Sequence, residues 1–237
     1  MFLFRGVVFL MEAIVLAGGF GTRLSSVVSD VCKPMAPVLD KPFLYYILRN
    51  LKRHKFKKVI LAVGYLKGSI IDYFGFNYEG MKLIYSIEDE PLGTGGAIKK
   101  ALKYVTDKYV YIINGDTYFD IDYKMLIPKD DMVMVCRYSF DARRYDTVVI
   151  EEMKAIDFKK NEEYGFINGG IYVVNKEIFN TYSMEKFSFE NDFLKNYINA
   201  LNVWVYISNT YFIDIGIPSD YYKFIEDVKN EEGSFFR

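Results

Sequence analysis

The chain has 237 residues, of which 51% are hydrophobic and 26% are charged, and its formal net charge is −1. A chain this apolar can bury a sizeable core, which excludes intrinsic disorder, and its balanced charge gives no sign of a nucleic-acid-binding surface. The two cysteines, Cys32 and Cys136, have no metal-ligand spacing and are too few for a disulfide framework, so we expect a reducing compartment, the cytoplasm.

The first ten residues form an apolar segment with one arginine. This segment is too short to span a membrane, and no small-residue cleavage site follows it. Met11 stands directly before the first predicted strand. We therefore expect residues 1–10 to be an N-terminal extension and Met11 to be the physiological start, which intact-mass analysis of the native protein would test.

The first predicted strand ends in a glycine-rich turn. Residues 14–16 are apolar, and residues 17–24 read Ala-Gly-Gly-Phe-Gly-Thr-Arg-Leu. This pattern is typical of a buried parallel strand that brings its carboxyl end to a ligand. Gly18, Gly19 and Gly21 allow a ligand to approach the backbone, whose N–H groups can then face phosphate oxygens. A plain tight turn is the alternative interpretation of the glycines alone.

Two cations near this turn favour the phosphate interpretation. Arg23 supplies a planar fork of donors, and Lys33, in the run Cys-Lys-Pro-Met, supplies a mobile point charge. The Walker loop is absent from the sequence, because no glycine-rich run ends in Gly-Lys-Ser or Gly-Lys-Thr. The dinucleotide fingerprint is also absent, because Leu24 stands where its third glycine would be.

Beyond the turn, apolar runs alternate with amphipathic stretches. Predicted strands cover 58–63, 82–87 and 109–113, and predicted helices cover about 43–53 and 69–74. A third predicted helix starts from the glycine-rich turn at 88–97 and runs to about residue 105. This alternation predicts an α/β fold with a doubly wound, mostly parallel sheet. Ligands bind such sheets at the carboxyl ends of strands, where the loops after Leu16, Ile87 and Ile113 converge.

The second half of the chain contains shorter elements. The predicted strands are 132–137, 147–150, 154–158, 165–174, 203–207 and 211–213. The predicted helices are 176–181, 190–201 and 219–228, the last with Ser219 as its N-cap. No repeat, low-complexity tract or linker separates the two halves, so we expect one continuous domain over residues 11–230.

Asp116 follows the predicted strand 109–113 in the run Asn-Gly-Asp-Thr. A carboxylate at this edge of the sheet, close to a bound triphosphate, is a suitable Mg²⁺ ligand. A capping or turn aspartate is the alternative, and it is the more common role for an isolated aspartate in a turn.

The run Gly-Gly-x-Gly-Thr-Arg-Leu followed by Lys-Pro resembles the signature of the sugar-nucleotide pyrophosphorylases, the nucleotidyltransferases that join a sugar 1-phosphate to a nucleoside triphosphate. The resemblance covers residue 11 to about residue 228. It implies a Rossmann-like, glycosyltransferase-A-type nucleotidyltransferase fold, with a nucleotide half at about 11–120 and a smaller sugar-side lobe at about 121–230. Within the family, the sequence is most similar to the D-glycero-α-D-manno-heptose 1-phosphate guanylyltransferases, on residues 26–31, 33–38, 63–65 and 88–97.

The resemblance implies that GTP and a heptose 1-phosphate react in line at the α-phosphorus, with Mg²⁺ as cofactor. The products would be pyrophosphate and a GDP-heptose for capsule or lipopolysaccharide synthesis. Mannose 1-phosphate, another hexose 1-phosphate or another base are alternatives. A non-catalytic regulator that binds a sugar nucleotide is the alternative from a different class, although Arg23, Lys33, Asp116 and Asp214 favour an enzyme. The aromatic-rich second half is compatible with a homodimer interface.

The resemblance also gives roles to individual residues. The catalytic residues are Arg23 on the triphosphate, Lys33 on the reacting phosphates and Asp116, and the metal ligands are Asp116 and Asp214. Nucleotide contacts come from Leu16, Ala17, Gly18, Gly19, Gly21, Thr22, Arg23, Gly93 and Thr94, with Glu88 or Glu90 accepting hydrogen bonds from guanine. Sugar contacts come from Gly115, Asn168, Gly169 and Glu190. An acid in the first turn of a helix is the alternative for Glu190.

One segment departs from the family pattern. Relatives commonly carry Glu-Lys after the strand that precedes Asn168, whereas this chain reads Phe-Lys-Lys-Asn-Glu-Glu at residues 158–163. Lys159 or Lys160 is the candidate for the lysine, and the glutamate that would hold the sugar is missing or displaced.

Overall fold

A computed structural model describes residues 2–4, 7–9, 11–19, 24, 31–64 and 66–230. The strands within these ranges are β1 (Phe2–Phe4), β2 (Val7–Phe9), β3 (Glu12–Leu16), β4 (Pro37–Val38), β5 (Lys41–Pro42), β6 (Lys58–Val63), β7 (Asn77–Tyr78), β8 (Met81–Ile87), β9 (Tyr109–Asn114), β10 (Thr117–Phe119), β11 (Met132–Ser139), β12 (Thr147–Glu151), β13 (Lys154–Lys159), β14 (Gly165–Asn175), β15 (Val203–Ile207) and β16 (Phe212–Asp214). The α-helices are α1 (Phe43–Arg53), α2 (Lys67–Phe74), α3 (Gly93–Ala101), α4 (Lys195–Tyr197) and α5 (Pro218–Lys229). Shorter helical segments are the 3₁₀ turns Lys33–Met35, Leu102–Tyr104, Tyr123–Met125 and Lys176–Phe179 and the π-helical segment Phe189–Leu194.

The first half of the chain builds the predicted parallel sheet. The strand order is β9-β3-β6-β8, these strands run in the same direction, and β7 pairs antiparallel with β8. β6 coincides with its predicted range, and β8 and β9 each differ from theirs by one residue. The apolar runs bounded by glycine therefore identified this part of the sheet correctly.

The second half extends the same sheet with antiparallel strands. β14 lies antiparallel to β9, and it also pairs with β12 and β11. The pairing with β9 ends where Ile171 lies opposite Ile113, and the pairing with β12 is at Ile167 and Thr147. β9 and β12 therefore lie end to end along one side of β14, and residues 168–170 are the opening between them. The opening spans about 13 Å of strand.

Helices cover both faces of the sheet, as a doubly wound fold requires. In β3, Ala13 and Val15 belong to one core cluster, which also contains Leu44 of α1. Ile14, between them, belongs to the cluster on the other face, which contains Ile98 of α3. Because both faces are buried, β3 and β6 are apolar throughout after a charged first residue, whereas β8, nearer the edge of the sheet, contains the exposed Lys82.

A buried ion pair lies at the amino edge of the parallel sheet. Glu12 is 2% exposed and lies opposite Lys58, with 2.5 Å between Oε1 and Nζ. Glu12 Oε1 also accepts from the Thr106 hydroxyl, and Oε2 accepts the N–H groups of Thr106 at 2.8 Å and Asp107 at 3.3 Å. Burial raises the pKa of Glu12, but Lys58 and these hydrogen bonds outweigh burial and hold that pKa below its ordinary value.

Two helix predictions are wrong in detail. The predicted helix 190–201 is instead the π-helical segment Phe189–Leu194 followed by the short α4. The wider π turn lets the last two residues of the segment, both apolar, reach the core together. Ser219 is not the N-cap of α5, because the helix already begins at Pro218. Proline suits the first helical position, where an N–H has no intrahelical partner in any case.

The amino-terminal segment, residues 1–10, contains β1 and β2, which pair as an antiparallel hairpin. Among the described helices, none combines the length and the apolar character that crossing a bilayer requires.

Candidate active site

Two aspartates come together just beyond the end of β9. The turn at Gly115 and Asp116 leads into β10, which pairs antiparallel with β16 so that Thr117 lies opposite Asp214. The N–H of Ile215 donates to the backbone oxygen of Asp116 at 3.0 Å. Burial raises the pKa of Asp214, and the neighbouring charge of Asp116 raises it further. The ladder therefore holds two carboxylates side by side, although they are far apart in the sequence.

Lys33 provides a cation at these carboxylates. Its ammonium nitrogen lies 2.7 Å from Asp116 Oδ2, and its side chain is only 10% exposed. Lys33 opens a 3₁₀ turn that contains the buried Pro34 and closes with the N–H of Ala36 donating to the Lys33 oxygen at 3.0 Å. The Lys-Pro pair of the sequence is therefore a fixed turn that directs the lysine to the carboxyl edge of the sheet.

Arg144 is a second cation at the same place, and it was not predicted from the sequence. Arg144 lies between β11 and β12, its guanidinium is 3.9 Å from Asp214 Oδ2, and it forms an ion pair with Asp220. The sequence offered little signal, because an arginine between two strands is usually solvated. Each aspartate of the pair thus has a cation beside it.

The aspartate pair fits a divalent cation in the presence of phosphate. Within the described ranges, no group of three or more His, Cys, Asp or Glu residues is arranged to hold a metal. A hard cation such as Mg²⁺ does not need such a group, because it is usually held by one or two carboxylates together with waters and substrate phosphates. The raised pKa of Asp214 agrees with this fit, since two like charges gain from a cation between them.

The start of the glycine turn after β3 lies against the ends of β6 and β8. A Cβ atom on Gly18 would stand 3.0 Å from Glu88 Oε1 and 3.2 Å from the backbone nitrogen of Gly64. A Cβ atom on Gly115 would stand 2.3 Å from the Leu16 oxygen. A Cβ atom at position 115 would overlap the backbone, so glycine is required there. A Cβ atom at position 18 would crowd Glu88 and Gly64, so glycine eases the approach of these strand ends.

Glu88 is the acid on this side of the site. Its Oε2 accepts the N–H of Leu92 at 3.0 Å, whereas its Oε1 has no hydrogen-bond donor within the described part of the chain. Burial raises the pKa of Glu88, although the Leu92 N–H and the charge of Lys100 act in the opposite direction. Glu88 is therefore a poorly solvated carboxyl group with one oxygen available to a ligand.

Helix α3 begins beside Glu88 and is fixed by the segment that leads into the π-helical turn. The N–H of Phe189 donates to Thr94 Oγ1 at 2.8 Å, and the N–H of Gly95 donates to the Phe187 oxygen at 2.9 Å. A Cβ atom on Gly95 would stand 2.1 Å from the Phe187 ring. The glycines of this helix start are therefore required by packing.

Asn168 and Glu190 meet on the other side of the aspartate pair. Asn168 Nδ2 donates to Glu190 Oε1 at 3.1 Å, and the Tyr172 hydroxyl donates to the same oxygen at 2.7 Å. Asn168 Oδ1 accepts the N–H of Gly170 at 3.0 Å. Burial raises the pKa of Tyr172 well above its ordinary value, so its hydroxyl remains a donor. These bonds fix both side chains before any ligand arrives.

One cavity of about 940 Å³ connects these groups. The predicted site residues on its wall are Leu16, Gly18, Gly19, Lys33, Glu88, Glu90, Gly93, Thr94, Gly115, Asp116, Asn168, Glu190 and Asp214. Ala17 and Gly169 are not on the wall: Ala17 is buried and its N–H donates to Ala62, and a Cβ atom on Gly169 would stand 2.6 Å from the Phe119 ring. Gly21, Thr22 and Arg23 lie outside the described residues, so their contacts stay predictions.

The wall also contains residues for which no role was predicted from the sequence. They are Ala62, Gly64, Lys67, Asn114, Arg144, Tyr145, Asp146, Phe158, Asn191, Lys195 and Phe212, among others. Lys159 and Lys160, the two candidates for the family's lysine, are exposed and lie off the wall. Lys195, which follows the π-helical segment, brings an ammonium group to the cavity from another part of the chain.

Known proteins of similar sequence point to one family. The Nucleotidyl transferase family matches residues 12–231. A D-glycero-alpha-D-manno-heptose 1-phosphate guanylyltransferase from Aneurinibacillus thermoaerophilus is 46% identical over 228 residues, which cover 93% of this chain and 99% of that protein. A protein of the same name from Campylobacter jejuni is 47% identical over 220 residues, which cover 91% of this chain and 99% of that protein.

Solved structures agree with the sequence matches. HddC from Yersinia pseudotuberculosis, in complex with GMP-PN, superposes with a TM-score of 0.84 at 39% identity, covering 92% of this chain and 99% of HddC. A putative glucose-1-phosphate thymidylyltransferase from Bacillus anthracis superposes with a TM-score of 0.81 at 20% identity, which shows the fold alone. The predicted Rossmann-like nucleotidyltransferase fold is thereby confirmed. Because the family match spans most of the chain and the relatives are covered almost completely, this chain is a nucleotidyltransferase that belongs to the Nucleotidyl transferase family.

Proposed function

We propose that this nucleotidyltransferase transfers the guanylyl group of GTP to D-glycero-α-D-manno-heptose 1-phosphate and releases pyrophosphate. Relatives of nearly the same length bear the name of this activity. The observation that carries the chemistry is that Asp116, Asp214 and Lys33 meet in the cavity that the glycine turn also lines. The GDP-heptose would supply the synthesis of a surface polysaccharide, such as a capsule or a lipopolysaccharide.

The proposed reaction is an in-line displacement at the α-phosphorus of GTP. An oxygen of the sugar phosphate forms the new bond to this phosphorus, and the bond from the phosphorus to the oxygen that bridges to the β-phosphate breaks. Pyrophosphate leaves with the electron pair of the broken bond. Since the sugar phosphate is already anionic, no side chain has to supply a nucleophile, and catalysis rests on positioning and charge neutralisation.

Asp116 and Asp214 would hold Mg²⁺, which neutralises phosphate charge when it is bound. Lys33 directs its ammonium group to the same space and would bind the reacting phosphates. Arg144, beside Asp214, adds a second positive charge there. Because pairing and turns fix these groups before a substrate binds, little reorganisation is needed in the transition state. Arg23, from the glycine turn, would bind the triphosphate and the leaving pyrophosphate.

Glu88 is the residue that we propose to select guanine. Guanine presents an N1–H and an amino group on one edge, and a carboxylate oxygen accepts hydrogen bonds from such donors. Glu88 Oε1 is available for this purpose, and the raised pKa of Glu88 indicates that water solvates the carboxyl group poorly. Cytosine and adenine lack the N1–H and 2-amino pair, so they would leave the acid without its partners.

The sheet also suggests the order of the substrates. Glu88 follows β8, Gly18 follows β3 and Asp116 follows β9, so the base, the phosphates and the sugar would lie in this order across the strand ends. We therefore propose a nucleotide half at about 11–120 and a sugar half at about 121–230 within one domain. Both cysteines are free and buried, which supports the cytoplasm as the site of action. A homodimer stays a prediction.

The test is pyrophosphate release with GTP, ATP, CTP, UTP and dTTP, each combined with heptose, mannose and glucose 1-phosphates at several Mg²⁺ concentrations. We expect the highest kcat/KM with GTP and heptose 1-phosphate. A preference for mannose 1-phosphate would replace the proposed sugar, and a preference for another triphosphate would remove the proposed role of Glu88. Nucleotide binding without turnover for any pair would favour a non-catalytic regulator.

A further inference from the structure

A cluster of three polar side chains lies on the cavity wall away from the glycine turn. Lys195 forms an ion pair with Asp146 and donates to Asn191 Oδ1 at 2.7 Å. Asp146 directly precedes β12, and Lys195 begins α4, so the cluster joins the sheet to the helical layer. The side chains of Lys195 and Asp146 are 23% and 30% exposed. The cluster is thus only partly solvated, and the cavity is the space beside it.

The pairing of β14 places this cluster beyond the aspartate pair. Asp116 follows the end of β9, and Asp146 precedes the start of β12, with the opening at residues 168–170 between them. Arg144, which lies beside Asp214, is two residues before Asp146, so their Cα atoms are at most about 7 Å apart. A sugar whose anomeric phosphate lies at Arg144 would therefore extend its opposite end toward the cluster.

The cluster has no net charge, because the carboxylate of Asp146 neutralises the ammonium of Lys195. A neutral polar group therefore suits it as a ligand. Within the described ranges, Asp146 Oδ1 and one N–H of Lys195 have no hydrogen-bond partner. The cluster therefore offers one acceptor and one donor side by side. A hydroxyl group can donate and accept, so two neighbouring hydroxyls can pair with both.

We infer that Asp146, Asn191 and Lys195 form a subsite for an exocyclic 1,2-diol on the sugar 1-phosphate, an inference that rests on the proposed function. D-glycero-α-D-manno-heptose carries such a diol at C6 and C7, whereas mannose carries a single hydroxyl at C6. Lys195 donates to one hydroxyl, Asp146 accepts from the other, and Asn191 holds the ammonium in place.

This subsite determines specificity because a shorter sugar leaves one of its polar groups without a hydrogen-bond partner. Binding of the substrate removes water from Asp146 and Lys195, and a sugar without the second hydroxyl leaves one of the two unpaired. A site built to pair with a hydroxyl discriminates more strongly than a site that only has room for it. The ion pair therefore distinguishes a heptose from a hexose without contacting the reacting phosphates.

The experiment compares two sugars in the same variants. Lys195→Met and Asp146→Asn are assayed at saturating GTP and Mg²⁺ with heptose 1-phosphate and with mannose 1-phosphate. We expect kcat/KM for heptose 1-phosphate to fall about 10- to 100-fold, and kcat/KM for mannose 1-phosphate to change less than about 3-fold. If mannose 1-phosphate is not turned over, its inhibition constant is compared in its place. The ratio of the kcat/KM values for the two sugars, measured in one preparation, does not depend on the fraction of the protein that is folded.

Lys223→Met is the matched control, because it removes a lysine whose ammonium lies 2.6 Å from Asp227 on the surface of α5. In this variant, the ratio of kcat/KM for heptose 1-phosphate to kcat/KM for mannose 1-phosphate should equal that of the unaltered protein. An equal loss for both sugars in the Lys195 and Asp146 variants, or no loss for either, would overturn the subsite. Absence of turnover of heptose 1-phosphate by the unaltered protein would instead overturn the proposed function, and the subsite with it.

Discussion

Two acid–lysine pairs lie at opposite edges of the same parallel sheet. At the amino edge, Glu12 is enclosed, and both of its oxygens accept hydrogen bonds in addition to the ion pair with Lys58. At the carboxyl edge, Asp116 is 32% exposed to the cavity, is paired with Lys33, and has Asp214 as a close neighbour of like charge. The first carboxylate is saturated with donors, and the second is not.

This difference shows which pair is available to a substrate. The pKa of Glu12 is lowered because its partners stabilise the charged form, whereas the pKa of Asp214 is raised because burial and Asp116 disfavour its charge. A saturated acid cannot exchange a partner without a cost in stability, but the acids at the carboxyl edge gain from a further cation. We therefore expect changes at the amino edge to lower stability and changes at the carboxyl edge to lower turnover.

The largest effect is expected from Asp116→Asn, which keeps the shape of the side chain and removes its charge. Turnover should fall about 10³-fold, or about 4 kcal/mol in the activation free energy, because the proposed metal ligand and the partner of Lys33 are lost together. The midpoint of thermal unfolding should change little, because the loss of the ion pair with Lys33 is offset by the loss of the repulsion between Asp116 and Asp214. Pyrophosphate release as a function of Mg²⁺ concentration measures the first effect, and calorimetry measures the second.

Asp40→Asn is the control for that variant, because Asp40 pairs with Lys41 on the surface and lies off the cavity wall. It should keep normal turnover. A turnover of Asp116→Asn within tenfold of the unaltered protein would contradict the proposed role of the carboxylate.

Glu12→Gln, at the amino edge, is expected to lower stability and to leave turnover unchanged. A glutamine amide has one acceptor oxygen, so its NH₂ group must face either Lys58 or the backbone donors of Thr106 and Asp107. The free energy of unfolding should fall by about 3 kcal/mol, as when one partner of a buried ion pair is removed. Urea unfolding measures this change, and kcat/KM of the folded fraction should be unaltered.

Glu226→Gln, on the exposed side of α5, is the matched control and should change the free energy of unfolding by less than about 0.5 kcal/mol. If Glu12→Gln lowered turnover while leaving stability intact, the amino edge would not have the purely structural role that we assign to it.

A smaller effect on turnover is expected from Lys33→Ala. Loss of one preorganised cation should lower kcat about 10²-fold, which is about 2.7 kcal/mol. Stability should change little, because Asp116 keeps access to solvent through the cavity. Lys41→Ala, which removes a half-buried lysine of the same chain segment that lies off the cavity wall, serves as the control in the same assay. Turnover of Lys33→Ala close to normal would refute its role.

The sequence predicts one side of the cavity better than the other. On the proposed nucleotide side, an apolar strand that leads into a glycine-rich turn is a local pattern, and such a pattern identified β3, β6, β8 and the turn at Gly18. Asp116 was singled out in a similar way, because it stands in the short turn after an apolar strand. These predictions succeed because the parallel sheet itself brings the ends of its strands to one edge.

The proposed sugar side depends on contacts between distant segments. Arg144 and Lys195 are long charged side chains whose surroundings in the sequence are typical of solvated residues. They reach the cavity because β14 pairs with β9 and β12 end to end, and because a π-helical segment replaces the predicted helix at 190–201. Neither the pairing nor the wider turn has a signature within a short stretch of sequence.

The amino-edge pair also predicts how stability depends on pH. The pKa of Glu12 in the folded protein lies below its ordinary value of 4.5, so its contribution to stability is complete above about pH 4.5 and is lost as the pH falls through the lowered value. The difference in unfolding free energy between the unaltered protein and Glu12→Gln should therefore be constant from pH 8 to about pH 5 and should shrink at lower pH. Urea unfolding at intervals from pH 7 to pH 3 measures this difference. A difference that stayed constant or grew in acid would mean that the charge of Glu12 does not hold this edge of the sheet together.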